Sequence, residues 1–187
     1  SHQWTPNCIF DEELPTTWRD VCNHFDYHHH DANGHCAVSG LRQYGVRQSV
    51  AEMRMSAVHG WRKCAVTASN PQNTAAVLEA RSTLSAITSD HELHHEVAEN
   101  LCRAPSGDIC DASKKALIKS WEHDDDQFLA DYERFLNGNG HLGVLDLKYV
   151  AAHIKRRITV VWRVDPSPFS PLTRIIFCPE YHISGLT

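Results

Sequence analysis

Nowhere in the chain do two cysteines form a C-x-x-C pair, and no apolar run approaches the roughly 20 residues a helix needs to cross a bilayer. The first absence argues against a zinc ribbon. Together with an odd total of seven cysteines, scattered at 8, 22, 36, 64, 102, 110 and 178, it also argues against a disulfide framework, and a reducing, cytoplasmic setting is expected. The second argues against a membrane segment. A surplus of basic charge is missing too: 18 lysines and arginines stand against 23 aspartates and glutamates, a net charge of −5, so nucleic acid is not an expected partner. There is no G-x-S-x-G elbow to present a serine nucleophile, and no internal repeat or low-complexity tract.

What is present is ordinary for a globular protein. Hydrophobic residues at 42% and charged residues at 22% of 187 fit one domain with a continuous core. From Thr17, a plausible N-cap, Trp18, Val21, Cys22 and Phe25 recur at helical spacing, which would put Cys22 on the buried stripe. Cys36 opens a second helix with Ala37, Val38, Leu41 and Tyr44 on one side, ending at Gly45, and Val50, Met53, Ala57, Val58 and Trp61 mark a third. Residues 65–73 are turn-rich, and helical patterns return over 74–88, 90–102, 112–121 and 125–136, with Ser89 or Asp90 and Asp111 as N-caps. The acidic run 124–126 reads as a charged helix start rather than a metal site. Leu145, Leu147, Val150, Ala151 and Ile154 form a last helix; the β-branched run 158–164 and residues 174–178 read as strands around a Pro-rich turn. The expected class is α+β, helix-rich first and strand-rich at the end.

The most chemically suggestive stretch is Asp31-Ala32-Asn33-Gly34-His35-Cys36, a polar turn delivering a cysteine to a helix start. Unpaired backbone N–H groups and the positive end of the helix dipole favour a thiolate there, which is how a cysteine becomes a nucleophile. A matching base is available far along the chain in Pro179-Glu180-Tyr181-His182-Ile183-Ser184, and an early Cys with a late His is the arrangement of a thiol hydrolase.

Three motifs compete with this reading. The run His28-His29-His30 cannot converge on one ion from regular structure and reads as a loop. His91-Glu92-Leu93-His94-His95 matches H-E-x-x-H, the strongest rival. Its extension fails at Ala98 and Leu101, and Leu93, Val97 and Leu101 give an apolar stripe opposite His91, His95 and Glu99, as on a surface helix. Gly138-Asn139-Gly140-His141-Leu142-Gly143 matches G-x-G-x-x-G but follows a helix where a nucleotide fingerprint follows a strand, so a flexible loop is expected.

Several blocks together resemble the ovarian-tumour (OTU) family of cysteine proteases: Asn33-Gly34-His35-Cys36, residues 128–136, residues 140–152, the Ile158 to Val161 strand and Tyr181-His182-Ile183-Ser184. The family usually shows D-G-N-C at the nucleophile, a W-G-G-x-x-E-L stretch, a short I-x-V strand and a closing H-Y-[DN]-S. Here Asn33 stands for the Asp and His35 for the Asn, the W-G-G stretch is degraded to Asn139-Gly140-His141, and Ile183 follows His182. Ser184 occupies the place of the Asp or Asn that orients the imidazole. Residues 65–120 match no block and would be a helical insertion within a single OTU-like catalytic domain.

The resemblance implies a papain-like fold with a small sheet between helices. It also implies cleavage of the isopeptide bond after the C-terminal Gly-Gly of ubiquitin or a ubiquitin-like modifier. Cys36 would be the nucleophile and His182 the base, with the third group drawn from Asp31 or Ser184, or absent. Cys36, Gly34 and His35 would supply oxyanion N–H groups, with Asn33 or Asp31 shaping the turn. Such an enzyme uses neither metal nor cofactor, and a monomer binding ubiquitin or its chains is expected. The alternatives are a viral or pathogen polyprotein-processing protease of the same fold, a catalytically silent ubiquitin-binding module, and an H-E-x-x-H zinc hydrolase.

Overall fold

The computed structural model describes residues 16–24 and 34–177. Among them eight helices precede two strands: α1 (Trp18–His24), α2 (Cys36–Gln43), α3 (Val50–Ala68), α4 (Ala75–Thr88), α5 (His91–Cys102), α6 (Asp111–Ser120), α7 (Asp125–Asn137), α8 (Val144–Ile154), β1 (Ile158–Arg163) and β2 (Leu172–Phe177). The strands pair antiparallel, Ile158 opposite Phe177 and Arg163 opposite Leu172. Mostly helical with a small sheet at the end, the chain is α+β, as the change from helical to β-branched periodicity predicts. It divides into two compact units, Ser1–Met53 with Leu142–Thr187, and Arg54–His141.

The first unit joins residues from both ends of the sequence. The Thr17 hydroxyl accepts from the Asp20 N–H, capping α1, and Thr17 itself bridges Pro171. The Trp18 and Arg19 N–H groups donate to the Ser170 and Pro168 carbonyls. Ser170, 1% exposed, organises the Pro-rich connection: its hydroxyl accepts from the Val164 and Asp165 N–H groups and donates to the Pro171 carbonyl. A two-stranded sheet is marginal alone. Here α8 packs on both strands and buries Leu147, Val150, Ala151 and Ile154, each larger side chain worth about 1.5–3 kcal/mol. Asp146, fully buried, accepts from the Gly143 N–H at 2.6 Å and so caps α8.

The second unit is built on a row of aromatics. Phe128, Tyr132 and Phe135 recur along one face of α7 and stack in succession, with Trp121 and Trp61 edge-on to Phe128 and Tyr132. Its buried charges are satisfied. Arg54 donates to the Leu136 and Gly140 carbonyls at 2.8 Å, and Asp131 accepts from Trp121 Nε1, Gln127 Nε2 and Arg134 Nη1. Burial pushes the Asp131 carboxyl up, but those three bonds and the Arg134 charge outweigh it and hold the group below the usual carboxylate range.

Three expectations need correcting. The third helix continues through residues 65–68, because Ala65-Val66-Thr67-Ala68 contains no breaker and only Asn70-Pro71 stops it. Cys22 is exposed rather than on a buried stripe, since α1 is short and turns Trp18 and Val21 toward the unit. The cap of α6 is Cys110, with Asp111 the first helical residue.

Gly140 tests the packing of this second unit. A Cβ there would meet three ring carbons of Phe135 at 2.6 Å, and that ring is only 1% exposed. Gly140→Ala is expected to cost about 1–3 kcal/mol, read as a lower urea midpoint.

Candidate active site at the start of α2

The turn before α2 follows from its residue types. Gly34 is buried with φ +86, a left-handed conformation in which a side chain costs about 1–2 kcal/mol. His35, at φ −106 and ψ 4, occupies the N-cap, its carbonyl accepting from the Ser39 N–H at 2.8 Å. Cys36 is therefore the first residue of the helix and is half-buried, neither sealed in the core nor fully in water. Val38, 0% exposed, anchors the helix one turn on, and Gly45, at φ +88, follows its C-cap Tyr44. Arg156 Nη1 donates to the Tyr44 carbonyl, tying the far end of α2 to the chain just after α8.

No carboxylate lies in the first turn of α2. Of the residues expected at the site, the structure brings together Gly34, His35 and Cys36. Asp31, Asn33, His182 and Ser184 lie outside the described residues, as does the histidine run 28–30.

The H-E-x-x-H motif sits on α5 with His91, Glu92 and His95 exposed and Val97 and Ala98 buried. Among the described residues no three His, Cys, Asp or Glu side chains are placed to hold a metal ion together. The histidine that turns inward is His94, which the sequence reasoning missed. Its ring centroid lies 4.5 Å from that of Phe128 and 5.5 Å from that of Trp121. The signal was available, because His94, Val97, Ala98 and Leu101 follow the i, i+3, i+4, i+7 rhythm of the buried face.

The glycine motif likewise serves packing: Gly140 lies against Phe135 and Gly143 is the N-cap of α8, a tight corner where a flexible loop was expected. Asp124 caps α7 by accepting from the Gln127 N–H, as the acidic run predicts. Among the described residues no helix is long and apolar enough to cross a membrane. No family model matches the chain, and neither a curated protein nor a solved structure does.

Burial lowers the His94 pKa below its ordinary 6.5, opposed chiefly by the Thr88 backbone. The unfolded chain therefore takes up the proton first as pH falls. This contribution is constant above about pH 6.5, and stability is lost as pH falls from there toward the lower folded value. The urea midpoint of the wild type is expected to drop between pH 7 and pH 5, and that of His94→Phe to drop less.

Proposed function

We propose that the chain is a cysteine hydrolase of the OTU type, removing ubiquitin or a ubiquitin-like modifier from lysine side chains. The observation that carries this reading is the placing of Cys36: first residue of α2, half-buried, behind the left-handed Gly34 and with no acidic neighbour in its turn. Few structural roles require a thiol at that position, whereas a nucleophile needs it there.

The surrounding architecture supports the same reading. The described residues 34–53, which carry Cys36, and 142–177, which precede His182 in sequence, belong to one unit, as a Cys–His pair distant in sequence requires. The other resembling blocks fall on regular elements: residues 128–136 within α7, Gly143 at the start of α8, and Ile158 to Val161 within β1.

In the proposed reaction the Cys36 thiolate attacks the carbonyl carbon of the isopeptide bond. His182 protonates the departing lysine amine, and a water it deprotonates then releases the acyl-enzyme. The N–H of Cys36, with that of Gly34 or His35, would hold the oxyanion, and Asp31 or Ser184 would orient the imidazole. Cys36 and His182 carry the reaction without a cofactor.

Ubiquitin bearing a C-terminal electrophile tests this directly. Covalent labelling is expected at Cys36, abolished in Cys36→Ala and slowed about 10²–10⁴-fold in His182→Ala, with chelators without effect. Binding of ubiquitin without labelling would instead identify a silent binding module, and chelator-sensitive hydrolysis that survives Cys36→Ala would identify a zinc hydrolase. Gly34→Ala, forced into a left-handed conformation, is expected to lower the labelling rate by at least about tenfold while leaving the helical content unchanged, checked by circular dichroism.

A further inference from the structure

Two cysteines outside the α2 site stand at the two ends of a short loop. Helix α5 ends at Cys102 and α6 is capped by Cys110, at φ −82 and ψ 108. Between them the chain folds back on itself: Arg103 and Ile109 form an antiparallel bridge, and the Ala104 N–H donates to the Asp108 carbonyl at 2.8 Å. Gly107, at φ +90, makes the reversal, its N–H donating to the Ala104 carbonyl and its own carbonyl accepting from Arg103 Nη1. Continued one step outward, the register of that bridge would set Cys102, the last residue of α5, opposite Cys110.

In a regular antiparallel ladder, opposed residues have Cα atoms about 4.5–5.5 Å apart. That lies within the window of about 4.4–6.8 Å that a disulfide spans. A second contact fixes the same alignment one turn further along each helix. Lys114 Nζ meets Glu99 Oε1 at 2.6 Å; Glu99 shares a face of α5 with Cys102, three residues on, and Lys114 follows Cys110 by four. Cys102 is half-buried and Cys110 exposed, both as free thiols, so a small reagent reaches the pair from the Cys110 side.

We propose that Cys102 and Cys110 are a two-electron redox pair, oxidised by hydroperoxides to a disulfide that locks α6 onto the end of α5. The Cys110 thiolate attacks the outer oxygen of the peroxide: an S–O bond forms, the O–O bond breaks, and the departing oxygen takes up a proton and leaves as water from hydrogen peroxide or as an alcohol from an organic hydroperoxide. The Cys102 sulfur then attacks the sulfenic sulfur, forming S–S and breaking S–O, and water leaves. The two sulfurs together give up two electrons to the peroxide, and thiols reverse the reaction by exchange. Cys110 is the sulfur suited to go first. The Ser113 hydroxyl and N–H, with the Ala112 N–H, lower its pKa despite Asp111 beside it. The proposal does not depend on hydrolase activity at Cys36.

The test is a non-reducing tryptic map of the full chain in a Cys36→Ala background, treated with one equivalent of hydrogen peroxide and then alkylated. Cleavage after Arg81, Arg103 and Lys114 puts Cys102 in peptide 82–103 and Cys110 in peptide 104–114, each with one cysteine. The expected result is a species with the summed mass of the two peptides less two hydrogens, from monomeric protein, with equal loss of both alkylated peptides and their return after dithiothreitol. In Cys102→Ser the same dose is expected to leave Cys110 as a sulfenic acid trapped by dimedone, and in Cys110→Ser to leave Cys102 alkylated. Full recovery of both alkylated peptides, a link from Cys110 to any other cysteine, or a link only between two chains would overturn the proposal.

Discussion

Three backbone contacts hold the two ends of this sequence in one unit: the Thr17–Pro171 bridge and the bonds from Trp18 and Arg19 to the carbonyls of Ser170 and Pro168. They are made by main-chain groups, so they depend on the Pro-rich connection keeping its shape more than on any side chain of α1. Ser170 maintains that shape: its hydroxyl accepts from the Asp165 N–H and ties in the Val164 N–H and the Pro171 carbonyl, which also bond to each other. Arg163 over the Trp18 ring and Arg19 over the Phe169 ring add a cation–π contact on each side of the junction, worth about 0.5–1 kcal/mol where exposed.

Buried polar groups recur as organisers throughout. Asp146 caps α8 from within the core, Arg54 gathers two carbonyls at the end of α7, and Asp131 collects donors from Trp121, Gln127 and Arg134. Asp146 and Arg54 serve backbone groups where a helix begins or ends, the places at which such groups lack partners, while Asp131, in the middle of α7, holds the Trp121 side chain at the end of α6. Loss of such a side chain leaves its partners unsatisfied in a low dielectric, at about 1–3 kcal/mol per stranded group. Corners, more than helix middles, are where this protein specifies its structure.

Most helices were legible because their signals are local. Thr74, Asp90 and Asp124 accept the N–H three residues on, and helices begin after each. Cys36 as a helix-opening residue was legible for the same reason, from Gly34 before it and the apolar rhythm after it. What escaped was long-range. Nothing near His94 says that Phe128 and Trp121 will enclose it, and nothing near Gly140 says that the Phe135 ring will lie on its α-carbon. Cys22 was misjudged because a helix of one or two turns has too few residues for its periodicity to define a face. The pairing of Cys102 with Cys110 depends on Gly107 closing a loop, which residue types alone suggest only weakly.

The division of the chain sets an order of assembly. Residues 54–141 are continuous, so their unit depends on neighbours in sequence and can collapse on the ribosome while the C-terminal strands are still being synthesised. The other unit must wait for residues 142–177 and then close across the whole intervening stretch. A nascent chain would therefore expose α2 before the strands that complete its unit have been made.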